Sequence, residues 1–121
     1  MRNLKFRMWD YEAETFYHDL SINDCQYDGN VEYQQFTGFK DSKDKDIFEG
    51  DILRWEEYQG WEVGITIEGI YVAQWDEERG QWMCYDPFHD DSLPMFDTRY
   101  SNIIGNVMEN KSLLPCEGEV D

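Results

Sequence analysis

Residues 62–85 read EVGITIEGIYVAQWDEERGQWMCY. Val63, Ile65 and Ile67 alternate with Glu62, Gly64, Thr66 and Glu68, which is the period-2 pattern of a strand with one buried face. Gly69 marks a bend or bulge, and residues 70–75 resume as strand. Asp76 to Gly80 (DEERG) is a turn, and residues 81–85 are its returning partner. Short strands at regular spacing with turn signals between them make a β-meander, the signature of a barrel or sandwich.

The same alternation extends outward from this meander. Leu4, Phe6 and Met8 alternate with Lys5 and Arg7, Trp9 continues the run, and residues 15–18 return after a polar turn, predicting an N-terminal β-hairpin. Asp28-Gly29 is a turn signal, and residues 31–36 form the next strand. Asp41 to Asp46 (DSKDKD) alternates charge signs and reads as an exposed loop. It leads into Ile47-Phe48-Glu49-Gly50-Asp51-Ile52-Leu53, where Gly50-Asp51 interrupts two apolar pairs and residues 52–55 open a strand. Asp86 to Asp97, with two prolines and four aspartates, reads as a loop. A last strand with a glycine bulge follows within 99–107, then a short C-terminal helical turn within 109–114. This organisation is one domain over residues 1–114 with an acidic flexible tail, 115–121.

Composition sets the outer limits. The chain has 121 residues, 40% of them hydrophobic and 17% aromatic, enough to build a core without disulfides or metals. It holds 5 Trp, 8 Tyr and 7 Phe, more than a small barrel buries, so some aromatics face the surface. The net charge of −17 argues against direct binding to nucleic acid or an anionic membrane. Cys25, Cys84 and Cys116 are widely spaced and contain no CxxC pair, so reduced thiols are expected. The N-terminus lacks the apolar run of a signal peptide and no segment is apolar enough to span a bilayer. The expected location is the cytoplasm.

No residue pattern demands chemistry. His18 and His89 lie in no nucleophile signature, and Cys84 and His89 are separated by a strand end and Pro87. Asp86, His89, Asp90 and Asp91 share one loop and are of metal-ligating type, but their spacing matches no ligand pattern. Asp41, Asp44, Asp46 and Glu49 form a second acidic cluster without calcium-loop order, and Lys40, Lys43 and Lys45 compete for its carboxylates. Asp51, as a catalytic acid, has no partner in view. The reading is a non-enzymatic protein with no catalytic, cofactor-binding or metal residues to assign and no cofactor.

Four segments resemble the YopX family of small phage and prophage proteins. They are KFRMWD (5–10), QQFTGFKD (34–41), IFEGDIL (47–53) and IIGNVMENKSLL (103–114), and their order and spacing span the domain. Lys43-Asp44 stands where the family usually has Asn-Gly, and Phe39 where it usually has Leu. The resemblance implies an all-β fold with an SH3-like β-barrel, and a phage-derived protein expressed in a bacterial host. It implies no activity and no site residues. Gly38 and Gly50 read as turn positions, and Phe6, Trp9, Phe36, Ile47, Phe48, Ile52 and Leu53 as core candidates.

Function then narrows to contacts with other proteins. A protein-interaction module is the leading reading. Residues 46–97 hold fourteen acids against Arg54 and Arg79, and duplex DNA carries one charge per roughly 1.7 Å. An acidic DNA mimic that occupies a host DNA-binding protein is therefore one alternative. The surplus aromatics, among them Tyr58, Trp61, Tyr71, Trp75, Trp82, Tyr85 and Phe88, motivate a second, a homo-oligomeric structural protein.

Overall fold

The structure is a computed structural model that describes residues 4–26, 29–59, 66–95 and 98–115. Its strands are β1 (Phe6–Asp10), β2 (Thr15–Leu20), β3 (Val31–Lys40), β4 (Asp46–Phe48), β5 (Asp51–Gln59), β6 (Thr66–Asp76), β7 (Gln81–Asp86), β8 (Asp91–Pro94) and β9 (Ser101–Asn106). They form two sheets, one ordered β2-β1-β3-β4 and one ordered β8-β7-β6-β5-β9, with every pairing antiparallel. The N-terminal hairpin and the meander are present. The helical elements among the described residues are 3-10 turns at Ile22–Asp24, Thr98–Tyr100 and Lys111–Leu113. The residues Val63 and Ile65, Asp28, Trp61, Asp97 and the tail from Cys116 lie outside the described residues.

One local device ends four strands. The last residue of β1, β6, β7 and β9 turns its side-chain oxygen onto the following backbone, as Asp and Asn do in Asx-turns. Asp10 accepts from the N–H groups of Glu12 and Ala13 (2.9 and 3.1 Å), and Asp76 from those of Glu78 and Arg79 (2.9 and 3.1 Å). Asp86 accepts from Phe88 and His89 (2.9 and 3.2 Å), and Asn106 from Met108 and Glu109 (3.0 and 2.9 Å).

The Asp86 turn corrects the reading of 86–97 as a loop. The chain reverses through it, with Asp90 at φ 50°, and returns as β8, which pairs Asp86 with Asp91 and Met83 with Pro94. Proline is tolerated there because β8 is an edge strand, where a missing N–H costs no ladder bond. A second correction concerns Asp41, which is buried rather than part of an exposed loop. Its carboxylate accepts from the N–H groups of Lys43 and Lys45 (2.9 Å each) and reaches across to that of Ile103 (3.1 Å), tying the 41–46 turn to β9.

Two bulges bend the five-stranded sheet, which curls into a half-barrel. Between Trp55 and Tyr58, β5 carries one residue more than the facing stretch from Gly69 to Ile67 of β6, and Gly69 has φ +128°. Between Ile52 and Leu53 the extra residue is Ile104 of β9. The concave face packs Leu53, Trp55, Ala73, Trp82 and Cys84 with Ile47 of β4 and Met95. Ile52, Val72 and Met83 on the opposite face are also buried, so the centre of this sheet is covered on both sides.

In β1 the face is the reverse of the simple alternation. Arg7 and Trp9 are buried, whereas Phe6 and Met8 are half-buried. Trp9 decides the face, since the largest apolar surface on the strand gains most from burial. Arg7 has the same parity and is carried inside with it.

Candidate functional site

The buried Arg7 sits where the two sheets meet. Its guanidinium pairs with the Asp51 carboxylate at 2.8 Å, and both side chains are almost fully buried. Its Nε donates to Gln34 Oε1 (2.8 Å), and a further N–H donates to the Glu49 carbonyl (3.3 Å). The Phe16 and Phe48 rings lie 4.4 and 5.0 Å from the guanidinium carbon, within cation–π range. Asp51 also accepts from the Phe48 N–H at 2.8 Å. Burial pushes the Asp51 carboxyl above its ordinary pKa, and Arg7 and the Phe48 N–H oppose that rise.

Gly50 makes this junction possible. Its φ is +86°, and a Cβ there would stand 2.7 Å from Gln34 Nε2 and 3.2 Å from Val107. Its N–H donates to the Ala73 carbonyl (2.8 Å), and its own carbonyl accepts from the Val107 N–H (2.9 Å). The neighbouring Glu49 N–H donates to the Gln35 carbonyl of β3 (2.9 Å). One corner between β4 and β5 thus joins β3, β6 and the end of β9.

Above this corner runs a groove between the sheets, about 390 Å³ in volume, with Glu32 and Gln34 on one wall, Glu49 and Gly50 at its floor and Trp75 on the far wall. It continues into a cleft of about 290 Å³ lined by Gln35, Glu49, Trp75 and Trp82. Trp75 is 40% exposed and stands edge-on to the buried Trp82, ring centres 5.1 Å apart. Desolvation raises the half-buried Glu49 carboxyl's pKa; the Gln35 N–H and Arg7 lower it, and the nearby Glu32 charge raises it further. Among the described residues Glu32 accepts long contacts from Tyr11 and Gln34, at 3.4 Å each. The groove therefore pairs two carboxylates with an exposed indole, an arrangement suited to binding a cation.

The profile of the YopX family, described as YopX protein, matches residues 7–115. The chain belongs to the YopX family. No curated protein matches it. Among solved structures it is similar to the crystal structure of protein EF1440 from Enterococcus faecalis, with a TM-score of 0.61 at 19% identity over 95% of this chain and 100% of that one. That likeness concerns the fold.

In this YopX chain the four blocks that carry the family resemblance converge on the junction. Arg7 comes from the first block, Gln34 from the second, Glu49, Gly50 and Asp51 from the third, and Asn106 and Val107 from the fourth. Asp51 has the partner that its sequence context did not reveal, and that partner makes it a structural anion.

The other singled-out residues are elsewhere. Asp86, His89, Asp90 and Asp91 do lie together, but each carboxylate is engaged locally. Asp86 holds His89 Nδ1 at 2.7 Å, Asp90 accepts from the Tyr85 hydroxyl at 2.9 Å, and Asp91 from the Ser92 N–H at 2.9 Å. Among the described residues no group of three His, Cys, Asp or Glu is disposed to hold a metal ion. The Asp41–Glu49 cluster is dispersed: Asp41 is buried in the turn, Asp46 pairs with Lys5 and Lys40, Asp44 with Lys40, and Glu49 faces the groove. Cys84 lies in the core, where burial pushes its thiol up to about 12. His18 lies beside the Phe16 and Phe48 rings. Of the surplus aromatics, Trp82 is buried, Tyr71 packs against the core, and Trp75 and Phe88 are exposed. No helix among the described residues is long and apolar enough to cross a membrane.

Proposed function

We propose that this YopX-family chain is a non-enzymatic protein-interaction module, an accessory protein of phage or prophage origin that works in the cytoplasm of a bacterial host. The observation that supports it is the inter-sheet groove, where the exposed Trp75 and the Glu49 carboxylate line one surface. Tryptophan at a partly enclosed site is a typical anchor of protein contacts. The five-stranded sheet, a meander closed by β9 on the far side of β5, is consistent with an SH3-like barrel component. The test is retention of proteins from a bacterial host extract on the immobilised chain and on its Trp75→Ala variant, with both confirmed folded by circular dichroism. A protein held by the first and lost from the second is expected. Equal retention on both rejects the groove as the contact face.

A homo-oligomer is a second reading, favoured by exposed Tyr11, Tyr17 and Leu4 in and beside the N-terminal hairpin and by exposed Ile22 and Tyr100. Light scattering after size exclusion, at low and at high salt, separates a stable assembly from a monomer. The DNA-mimic alternative fits less well. Asp10, Asp24, Asp41, Asp51, Asp76 and Asp86 spend their carboxylates on the chain's own backbone rather than on an outward array.

A further inference from the structure

The groove combines features that select one kind of occupant. Its carboxylates, Glu32 and Glu49, are both partly withdrawn from water and line the same groove, and the Glu32 charge adds to the rise of the Glu49 carboxyl. Trp75 presents an exposed aromatic surface beside them. Trp82 lines the same cleft, is 7% exposed, and backs the Trp75 ring edge-on.

We propose that the groove takes an arginine side chain presented by a partner protein, its guanidinium held by Glu49 and Glu32 against Trp75. This rests on the reading of the chain as an interaction module and names what its partner must offer. A cation offsets the cost of holding two carboxylates in a partly dry groove. A guanidinium suits the site better than an ammonium, because its planar fork meets a carboxylate through two N–H groups while its face stacks on an aromatic ring. The molecule already uses this chemistry in its interior, where Arg7 lies against Phe16 and Phe48 and pairs with Asp51. The exposed Trp75 ring adds a surface on which a planar guanidinium can stack and a bare metal ion cannot.

The test follows the indole N–H resonances of Trp75 and Trp82 in nitrogen-15 spectra of the full chain. The probes are acetyl-Gly-Arg-Gly-amide and its citrulline counterpart, which has the same shape without the charge. Saturable shifts of both resonances with the arginine peptide are expected, with binding roughly tenfold weaker for the citrulline peptide and for Glu49→Gln, the scale of one charge-assisted hydrogen bond. Trp75→Ala, at an exposed position, should weaken it roughly threefold, the scale of an exposed cation–π contact. Equal shifts with both peptides, equal binding by Glu49→Gln, or no shift at either indole overturns the proposal. A host protein retained in the extract experiment through Trp75 but insensitive to Glu49→Gln would overturn the arginine assignment and leave the interaction module standing.

Discussion

Replacing Asp51 by Asn is the sharpest probe of how the two sheets are held together. The substitution keeps the side-chain oxygen that accepts the Phe48 N–H and changes little volume, so it isolates the charge. It leaves Arg7, 6% exposed, beside a neutral partner. A guanidinium does not lose its proton in a protein, so the buried charge has no way out. Removing one member of a buried pair costs about 3–5 kcal/mol, against a total stability of about 5–15 kcal/mol for a domain. The melting temperature should fall on the order of 10–20 °C.

The opposite substitution, Arg7→Met, leaves an orphan that can adapt. The Asp51 carboxyl already holds its proton more tightly than a free aspartate because it is buried, and without Arg7 it holds it tighter still. Below its unfolded-state value the group is neutral in both states and the orphan is cheap. As pH rises through the window between the unfolded and the raised native value, each unit costs about 1.4 kcal/mol. Arg7→Met should therefore be milder at pH 5 than at pH 8, whereas Asp51→Asn, which removes a carboxyl whose native pKa is raised, should cost no more at pH 8 than at pH 5. The double variant should be more stable than the sum of the single losses predicts, by about 0.5–3 kcal/mol. Urea unfolding followed by tryptophan fluorescence at the two pH values gives all four corners of the cycle. Equal, pH-independent and additive losses would refute the account of Arg7 and Asp51 as a coupled buried pair.

Three further outcomes are expected. Gly50→Ala should lose about 1–3 kcal/mol in the same urea assay, because the new Cβ meets the Gln34 amide and the backbone keeps a positive φ; a change below about 0.5 kcal/mol would mean that the corner relaxes. Glu49 has a raised native pKa, so its share of stability is present at low pH and is lost as pH rises through that value; Glu49→Gln should flatten that part of the pH–stability profile, and parallel profiles would contradict the assignment. Cys84 should resist a thiol reagent at pH 8 until the chain unfolds, since a thiol at about 12 is only about one ten-thousandth ionised there; rapid labelling of the folded chain at Cys84, located by mass spectrometry, would show that the core opens locally.

The strands from β5 to β7 and the N-terminal hairpin were legible because each is a local signal, alternation bounded by a turn. β8 was not legible, because Pro87, Pro94 and the aspartates that shape its hairpin are also the composition of a loop. Arg7 was hidden for a different reason. Alternation assigns a charged residue to the wet face, and the competing cue, the equal parity of Trp9, has meaning only once a partner for the charge exists. That partner lies 44 positions away in Asp51, beyond any local pattern. The groove was invisible for the same reason at larger scale: Glu32, Glu49 and Trp75 come from three separate strands or corners, and what joins them is the junction beneath.

That junction separates the residues that make the fold from those free to make contacts. Within the third block, Gly50 and Asp51 have duties that the backbone and Arg7 impose, whereas the Glu49 side chain faces outward from the same corner. Glu32 and Trp75, which complete the groove, lie outside all four blocks. A chain can therefore keep Arg7, Gln34, Gly50 and Asp51, and with them the angle between its sheets, while changing the charge and shape of the groove at 32 and 75. The blocks that reveal the family say how the site is built and do not say what it holds. The exchange Trp75→Ala with Glu32→Lys should, on this reasoning, abolish whatever the groove retains while costing in urea only what the Trp75–Trp82 ring contact and its partial burial supply, about 1–3 kcal/mol.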